Sequence, residues 1–276
     1  VPAPVVDVGV PQRAARTRSR VPLRSAAVWQ RLVSPLVIVV VWQVAGTAGL
    51  LPEQLLASPV KVLTTAAGLV EEGVLPEAIA VSLQRAAIGF TLGAVAGVGL
   101  ALVAGLSRIG ENAVDPPLQM LRALPLFGLI PLFILWFGIG ETPKVALVAL
   151  GVAFPLYLNT FSGIRGVDGR LAEVARVLRL SRTETVTHIV LPGALAQTLV
   201  GLRQSLGVAW LALIVAEQIN ADAGLGHMIN DAREFLRTDV IVVGLIVYAI
   251  LGLLTDALVR LLERRALSWR QSFLSR

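Results

Sequence analysis

Few residues in this 276-residue chain could make or break a covalent bond. It has no cysteine and two histidines, His188 and His227. Thiolate metal sites are thereby excluded, and a histidine cluster has too few members. A serine nucleophile inside the apolar segments would need a histidine beside it, yet both histidines fall in polar connections. Neither an HExxH metal motif nor a GxxxxGK[ST] phosphate loop occurs, so the chain is not expected to catalyse, to bind a metal or to hydrolyse ATP. What it offers is polar and charged groups set in apolar surroundings. Arg122, Gln197, Arg203 and Glu217 stand in or at the edges of long apolar runs, and Pro125 and Pro131 interrupt one of them. Leaving an ionisable group in lipid costs roughly 2.5 kcal/mol or more, so each is a candidate for lining the path of a polar solute. Arg203 would give such a path a positive potential suited to an anion. The competing reading, in which Arg203 snorkels or pairs with a neighbouring helix, stays open.

The elements that must position these residues are membrane helices. Hydrophobic residues make up 55% of the chain and charged residues 15%, with a mean hydropathy of +0.77. Soluble domains carry about 25% charge. A helix needs about 20 mostly apolar residues to cross a bilayer. Six segments fit, near 34–51, 86–106, 118–138, 143–162, 193–217 and 239–260. The expected fold is therefore an all-α membrane protein with six transmembrane helices. A signal peptide is the rival reading of the first segment, but no persuasive small-residue cleavage site follows it.

The net charge of +6 is concentrated at the ends, with six arginines from Arg13 to Arg31 and five from Arg260 to Arg276. Basic flanks on apolar spans point to membrane topology and contact with lipid, not to nucleic acid. The positive-inside rule places both termini, the 107–117 turn and the 163–192 loop in the cytoplasm. It places 52–85, 139–142 and 218–238 outside. The chain divides accordingly into a basic tail (1–33), a six-helix domain (34–262) containing the 163–192 loop, and a second basic tail (263–276). In the second span Gly89, Gly93, Gly97 and Gly105 recur with Ala101 between, a small-residue stripe for close helix approach within the chain or to a second copy. In the third, Pro125 and Pro131 predict a kink or opening, since each removes a backbone hydrogen bond.

The 163–192 loop contains EVARVLRLSRTETVTHIVLP (173–192), a charged stretch with three arginines in the middle of an oily chain. Asp168 can cap a helix beginning near Gly169. Leu171, Val174, Ala175 and Leu178 follow at i, i+3, i+4 and i+7 and so share a face. Glu173 and Arg176 are spaced to pair on the surface. That helix should end near Arg179. After Leu180, Ser181-x-x-Glu184 reads as a capping box that starts a second helix, which runs to Leu191 and Pro192. A helical hairpin this small cannot bury its apolar face alone. It must dock on lipid headgroups, on its own bundle or on another protein.

The same stretch resembles the EAA loop of the permease subunits of bacterial ABC importers, whose pattern is E-A-A, three residues, G, nine residues, I-x-L-P. Glu173, Ala175, Ile189, Leu191 and Pro192 match it in type and spacing. Val174 replaces an alanine and Arg179 stands where the family has glycine. The resemblance extends over roughly 35–272, through SLQRAAIGF (82–90), VDPPLQMLRALP (114–125), IPLFILWFGIG (130–140) and GIRGVD (163–168). LIVAEQINADAGLGHMINDAREFLRTDVIVV (213–243) is similar to the aliphatic sulfonate branch, with taurine and nitrate permeases sharing much of the pattern.

The resemblance implies a type I importer fold in the bacterial inner membrane, with the loop as coupling helices. It implies a second copy of the chain, two cytoplasmic ATPase subunits that bind ATP and magnesium, and an external substrate-binding protein. This chain itself would carry no cofactor. On the outside, Gly224, Gly226, Arg233 and Glu234 are the candidate contacts for the binding protein. A secondary transporter, working without ATP, is the rival from another class. It would also use a broken helix and buried charge, but would have no need of the hairpin.

Overall fold

A computed structural model describes residues 24–267, so the expected tails lie largely outside the described residues. All regular elements among them are helical. The apolar runs explain the long ones: α3 (Val74–Leu106), α6 (Glu141–Arg165), α9 (Leu191–Asn220) and α11 (Thr238–Ala266). Four continuous helices are long and apolar enough to cross a membrane: α3, α6, α11 and one spanning Arg182–Ile219 that contains nearly all of α9. α1 (Arg24–Thr47) starts inside the segment expected as a tail, and its apolar part is the shorter Val33–Thr47.

The third expected span departs from a single helix. It is drawn as α4 (Arg108–Ala123) and, after a 3₁₀ turn at Leu126–Leu129, α5 (Ile130–Phe137), with a 93° bend between the two arms. Pro125 marks the break: Leu124 before it is extended (ψ 139°), as the residue preceding a proline prefers. Pro131 makes no kink. It sits in the first turn of α5, where the missing N–H has no intrahelical acceptor anyway. The six expected spans are thus four long helices, one broken pair and one shorter apolar helix.

Two close packings form the centre of the bundle. The glycine stripe of α3 lies against α6: a Cβ on Gly89 would stand 2.7 Å from Val148 Cβ, and one on Gly97 2.6 Å from the Ala153 carbonyl. Gly93 faces Ala149 and Val152, and Gly105 faces Ile164. The residue numbers rise together, so α3 and α6 run parallel, and the stripe serves packing within the chain. The other face of α6 meets α9, with Gly163 against Ala194, Gly201 against Asn159 and Gly151 against Val208, hence antiparallel. Ser205 fixes that contact by donating from Oγ to the Val152 carbonyl (2.8 Å). α11 returns antiparallel along α9: Trp210 Nε1 donates to Thr255 Oγ1 (3.2 Å).

The connections expected as plain loops also contain helices. α2 (Pro59–Glu71) is capped by Ser58, whose side chain accepts from the Lys61 N–H, with Pro59 in its first turn. α7 (Gly169–Val177) and α8 (Arg182–Thr185) lie at one end of the bundle, and α10 (Leu225–Glu234) at the other.

Candidate functional site

The hairpin at one end follows its local code closely. Asp168 caps α7, its carboxylate accepting from the Arg170 N–H (3.0 Å). α7 closes in a Schellman turn: the Leu180 N–H donates to the Ala175 carbonyl (2.9 Å) and the Arg179 N–H to the Arg176 carbonyl (3.1 Å). The left-handed position of that turn is Arg179, at φ 51°. Glycine suits this position best, and a side chain there costs about 1 kcal/mol. Arg179→Gly should therefore tighten the turn. Exchange of the Arg179-site and Leu180 amide hydrogens, followed by mass spectrometry, should slow up to about fivefold, whereas unchanged exchange would mean the arginine is unstrained.

Ser181 and Glu184 then form the expected capping box: Ser181 N–H to Glu184 Oε2 2.7 Å, Glu184 N–H to Ser181 Oγ 3.2 Å. The second arm, however, is not a separate helix. α8 passes through a π turn at Val186–Val190 directly into α9, giving one helix from Arg182 to Ile219. The π turn ends next to Pro192, which lacks an N–H and would crowd the carbonyl four residues back; a widened turn relieves that conflict. Ile189, Leu191 and Pro192 thus belong to a rod that joins the hairpin to a membrane span without a hinge.

The outer surface of α7 is uncovered. Ala175 is buried, but Leu171, Val174, Val177 and Leu178 are exposed, Val177 at 82%. The expected Glu173–Arg176 ion pair is not formed. Among the described residues Glu173, Arg176, Arg179 and Arg182 have no ion pair, so their charges are open to a partner.

A second locus is a hollow of about 290 Å³ beside the Pro125 break, lined by Arg122, Leu126, Phe154, Leu158, Asn159 and Gln204 among others. Gln197 Nε2 donates to Asn159 Oδ1 and Asn159 Nδ2 to Gln204 Oε1, both at 2.9 Å. Asn159, which the sequence did not single out, thus joins Gln197 to the hollow that Arg122 also lines. Arg203 is held elsewhere, by Asp256 (3.1 Å) and Glu263 (3.0 Å) of α11. The pairing alternative for Arg203 is thus realised.

Glu217 stands apart from that hollow, at the opposite end of the bundle. It is 1% exposed, and its carboxylate accepts from Arg85 Nη1 (2.8 Å), Tyr248 Oη (3.0 Å) and the Gly226 N–H (2.9 Å), with Ser82 Oγ at 2.8 and 2.9 Å. Arg85 also reaches the Ala223 carbonyl (2.5 Å) and makes a two-pronged pair with Glu141, Nε to Oε2 2.5 Å and Nη2 to Oε1 2.7 Å. Lys144 Nζ lies 2.9 Å from Glu141 Oε1. The cluster ties α3, α6, α9, α10 and α11 together.

Gly224 (φ 112°) and Gly226 shape the turn around this cluster. Both are buried, and their added Cβ atoms would meet Glu217 at 2.5 and 2.6 Å. Arg233 and Glu234 are exposed, linked through Asn230 (3.1 and 3.2 Å). The sequence reading missed Ser82, Arg85, Glu141, Lys144 and Tyr248. Starting a span at its first uninterrupted apolar residue discarded 74–85, although Ser82-x-x-Arg85 and Glu141-x-x-Lys144 each place two polar groups on one helix face.

A bundle of several long apolar helices, with a helical hairpin at one end, defines a multi-span membrane protein. Comparison with known proteins gives it a family: residues 89–268 match the binding-protein-dependent transport system inner membrane component. A Bacillus subtilis (strain 168) protein described as a putative aliphatic sulfonates transport permease, SsuC, is 45% identical over 96% of both chains. Its Escherichia coli (strain K12) counterpart is 49% identical over 87% of this chain and 91% of that one. The Escherichia coli taurine transport system permease TauC is 35% identical over 84% and 86%. A crystal structure of an amino acid ABC transporter with histidines shares the fold, with TM-score 0.61 and 18% identity over 72% of this chain and 97% of that one. The chain belongs to the binding-protein-dependent transport system inner membrane component family, as a multi-pass, non-catalytic transport subunit.

Proposed function

We propose that the chain is the membrane-spanning subunit of an ATP-driven importer of aliphatic sulfonates. The observation that carries this reading is the hairpin, whose apolar face and unpaired charges lie uncovered on a stem continuous with a membrane span. Its occupant is a cytoplasmic ATPase subunit, one per copy in a dimer of this chain. ATP and magnesium are bound there and not in this chain. Both termini and the hairpin face the cytoplasm, in keeping with the arginine distribution. ATP acts by stabilising one arrangement of the docked ATPases over the other, and the α8–α9 rod carries that difference into the membrane.

The sulfonate substrate is supported by the relatives' names and by the hollow. Arg122 and the amides of Asn159 and Gln204 suit a monoanionic head, while Phe154, Leu158 and Leu126 suit an alkyl tail. An external binding protein delivers the substrate to the opposite end, where Arg233 and Glu234 are exposed.

Reconstitution tests the reading. Vesicles containing this chain and its ATPase should accumulate ethanesulfonate only with ATP and with a sulfonate-binding protein on the outside. Accumulation driven by an ion gradient without ATP would instead establish the secondary-transporter class.

A further inference from the structure

The buried cluster at the end remote from the hairpin holds two cations that the importer reading leaves without a task. We propose that Arg85 and Lys144 form an anion station at the entry side of the bundle, in which the carboxylate of Glu141 is a tethered occupant that a substrate sulfonate displaces. The proposal rests on the sulfonate-importer reading above.

The two sides of this contact differ in exposure. Arg85 and Lys144 are almost fully buried, at 5% and 2%, whereas the Glu141 side chain is 61% exposed. The cradle is therefore fixed and the occupant is at the surface. Arg85 stays fixed without Glu141, because its Nη1 is held independently by Glu217 and by the Ala223 carbonyl. Its Nε and Nη2 remain as a fork aimed outward, the geometry that suits a two-oxygen anion. Lys144 depends more on the occupant. It lines a small apolar cavity together with Ile130, Phe133, Pro143 and Leu147, and Glu141 is its one ionic partner among the described residues.

Charge decides which anion fits. With Glu217 counted, Arg85 and Lys144 leave a net +1 once Glu141 swings out, so a monoanion restores neutrality and a dianion overfills it. A sulfonate offers three oxygens to the three donors that Glu141 now satisfies with two. Glu141 can move aside by a side-chain rotation at the start of α6, where no side-chain cap holds the helix end and Gly138 and Gly140 precede it at φ 75° and 149°.

The test uses the assembled transporter in lipid nanodiscs, with ethanesulfonate as the probe and dimethyl sulfone as its uncharged analogue. In Glu141→Gln the tethered competitor is gone. Ethanesulfonate at ten times its Kd should then raise Tm by about 3 °C, the sulfone should not, and Lys144→Met added to Glu141→Gln should abolish the shift. The wild-type apparent Kd should be about tenfold weaker or more, since the tethered carboxylate competes at high effective concentration. An ethanesulfonate shift in Glu141→Gln no larger than that from the sulfone, or one matched by chloride at equal concentration, overturns the proposal.

A second measurement does not depend on the variant folding. The anomalous signal of bromomethanesulfonate soaked into wild-type crystals should place bromine beside Arg85 and Lys144, and its absence there overturns the station. ATP-driven uptake in the vesicles described above would be untouched by either failure. Loss of that uptake would instead remove the importer reading.

Discussion

Replacing Arg85 with methionine should be the most damaging single change in the fold. It leaves the Glu217 carboxylate fully enclosed with no cation, and breaking a buried pair from one side typically costs about 3–5 kcal/mol. Four helices, α3, α9, α10 and α11, meet at that carboxylate, and Arg85 ties in α6 through Glu141, so the loss spreads beyond one contact. Thermal unfolding in detergent should show Tm lower by about 10 °C. Adding Glu217→Gln to Arg85→Met removes the stranded charge while keeping acceptors for Tyr248 and the Gly226 N–H, and should recover about half of the loss. If the double variant is no more stable than the single one, the cost lies in lost packing of the arginine stem and not in the stranded carboxylate.

The second large effect is on transport. Val177 projects from α7 with 82% of its surface exposed, so Val177→Asp should leave Tm within about 1 °C of wild type. In the assembled importer the same substitution puts a carboxylate into an apolar docking contact. An anchor of this kind contributes about 2 kcal/mol or more, so ATPase affinity should fall about thirtyfold and ATP-driven uptake with it. Uptake at the wild-type rate with Val177→Asp would show that this face of α7 touches no partner.

Local signals were legible in the sequence and long-range ones were not. The Asp168 cap, the Ser181–Glu184 box and the turn at Arg179 each depend on residues within a few positions, and each forms where spacing placed it. The glycine stripe announced a close helix neighbour, and the Pro125 break announced itself by the restriction proline sets on Leu124. The continuity of α8 with α9 was hidden because Pro192 reads as the start of a new helix, whereas here the helix runs through it by way of a π turn. The Arg85–Glu217 pair was harder still. Its members are 132 positions apart, and neither residue carries a local mark of the other. For Arg203 two readings stayed open, a path or a pairing, because its partners, Asp256 and Glu263, lie on a different helix.

The central claim is that the 163–192 hairpin is the handle by which a separate ATPase moves this membrane bundle. The most direct measurement is affinity purification of the tagged chain from its own membrane in mild detergent, beside the Glu173→Arg and Val177→Asp variants. The account predicts that a nucleotide-binding ATPase copurifies with the wild-type chain, and that both variants lose it while keeping a wild-type Tm. A chain that purifies folded with no ATPase, or variants that retain the ATPase in full, would contradict it and leave the hairpin as an element of the membrane surface.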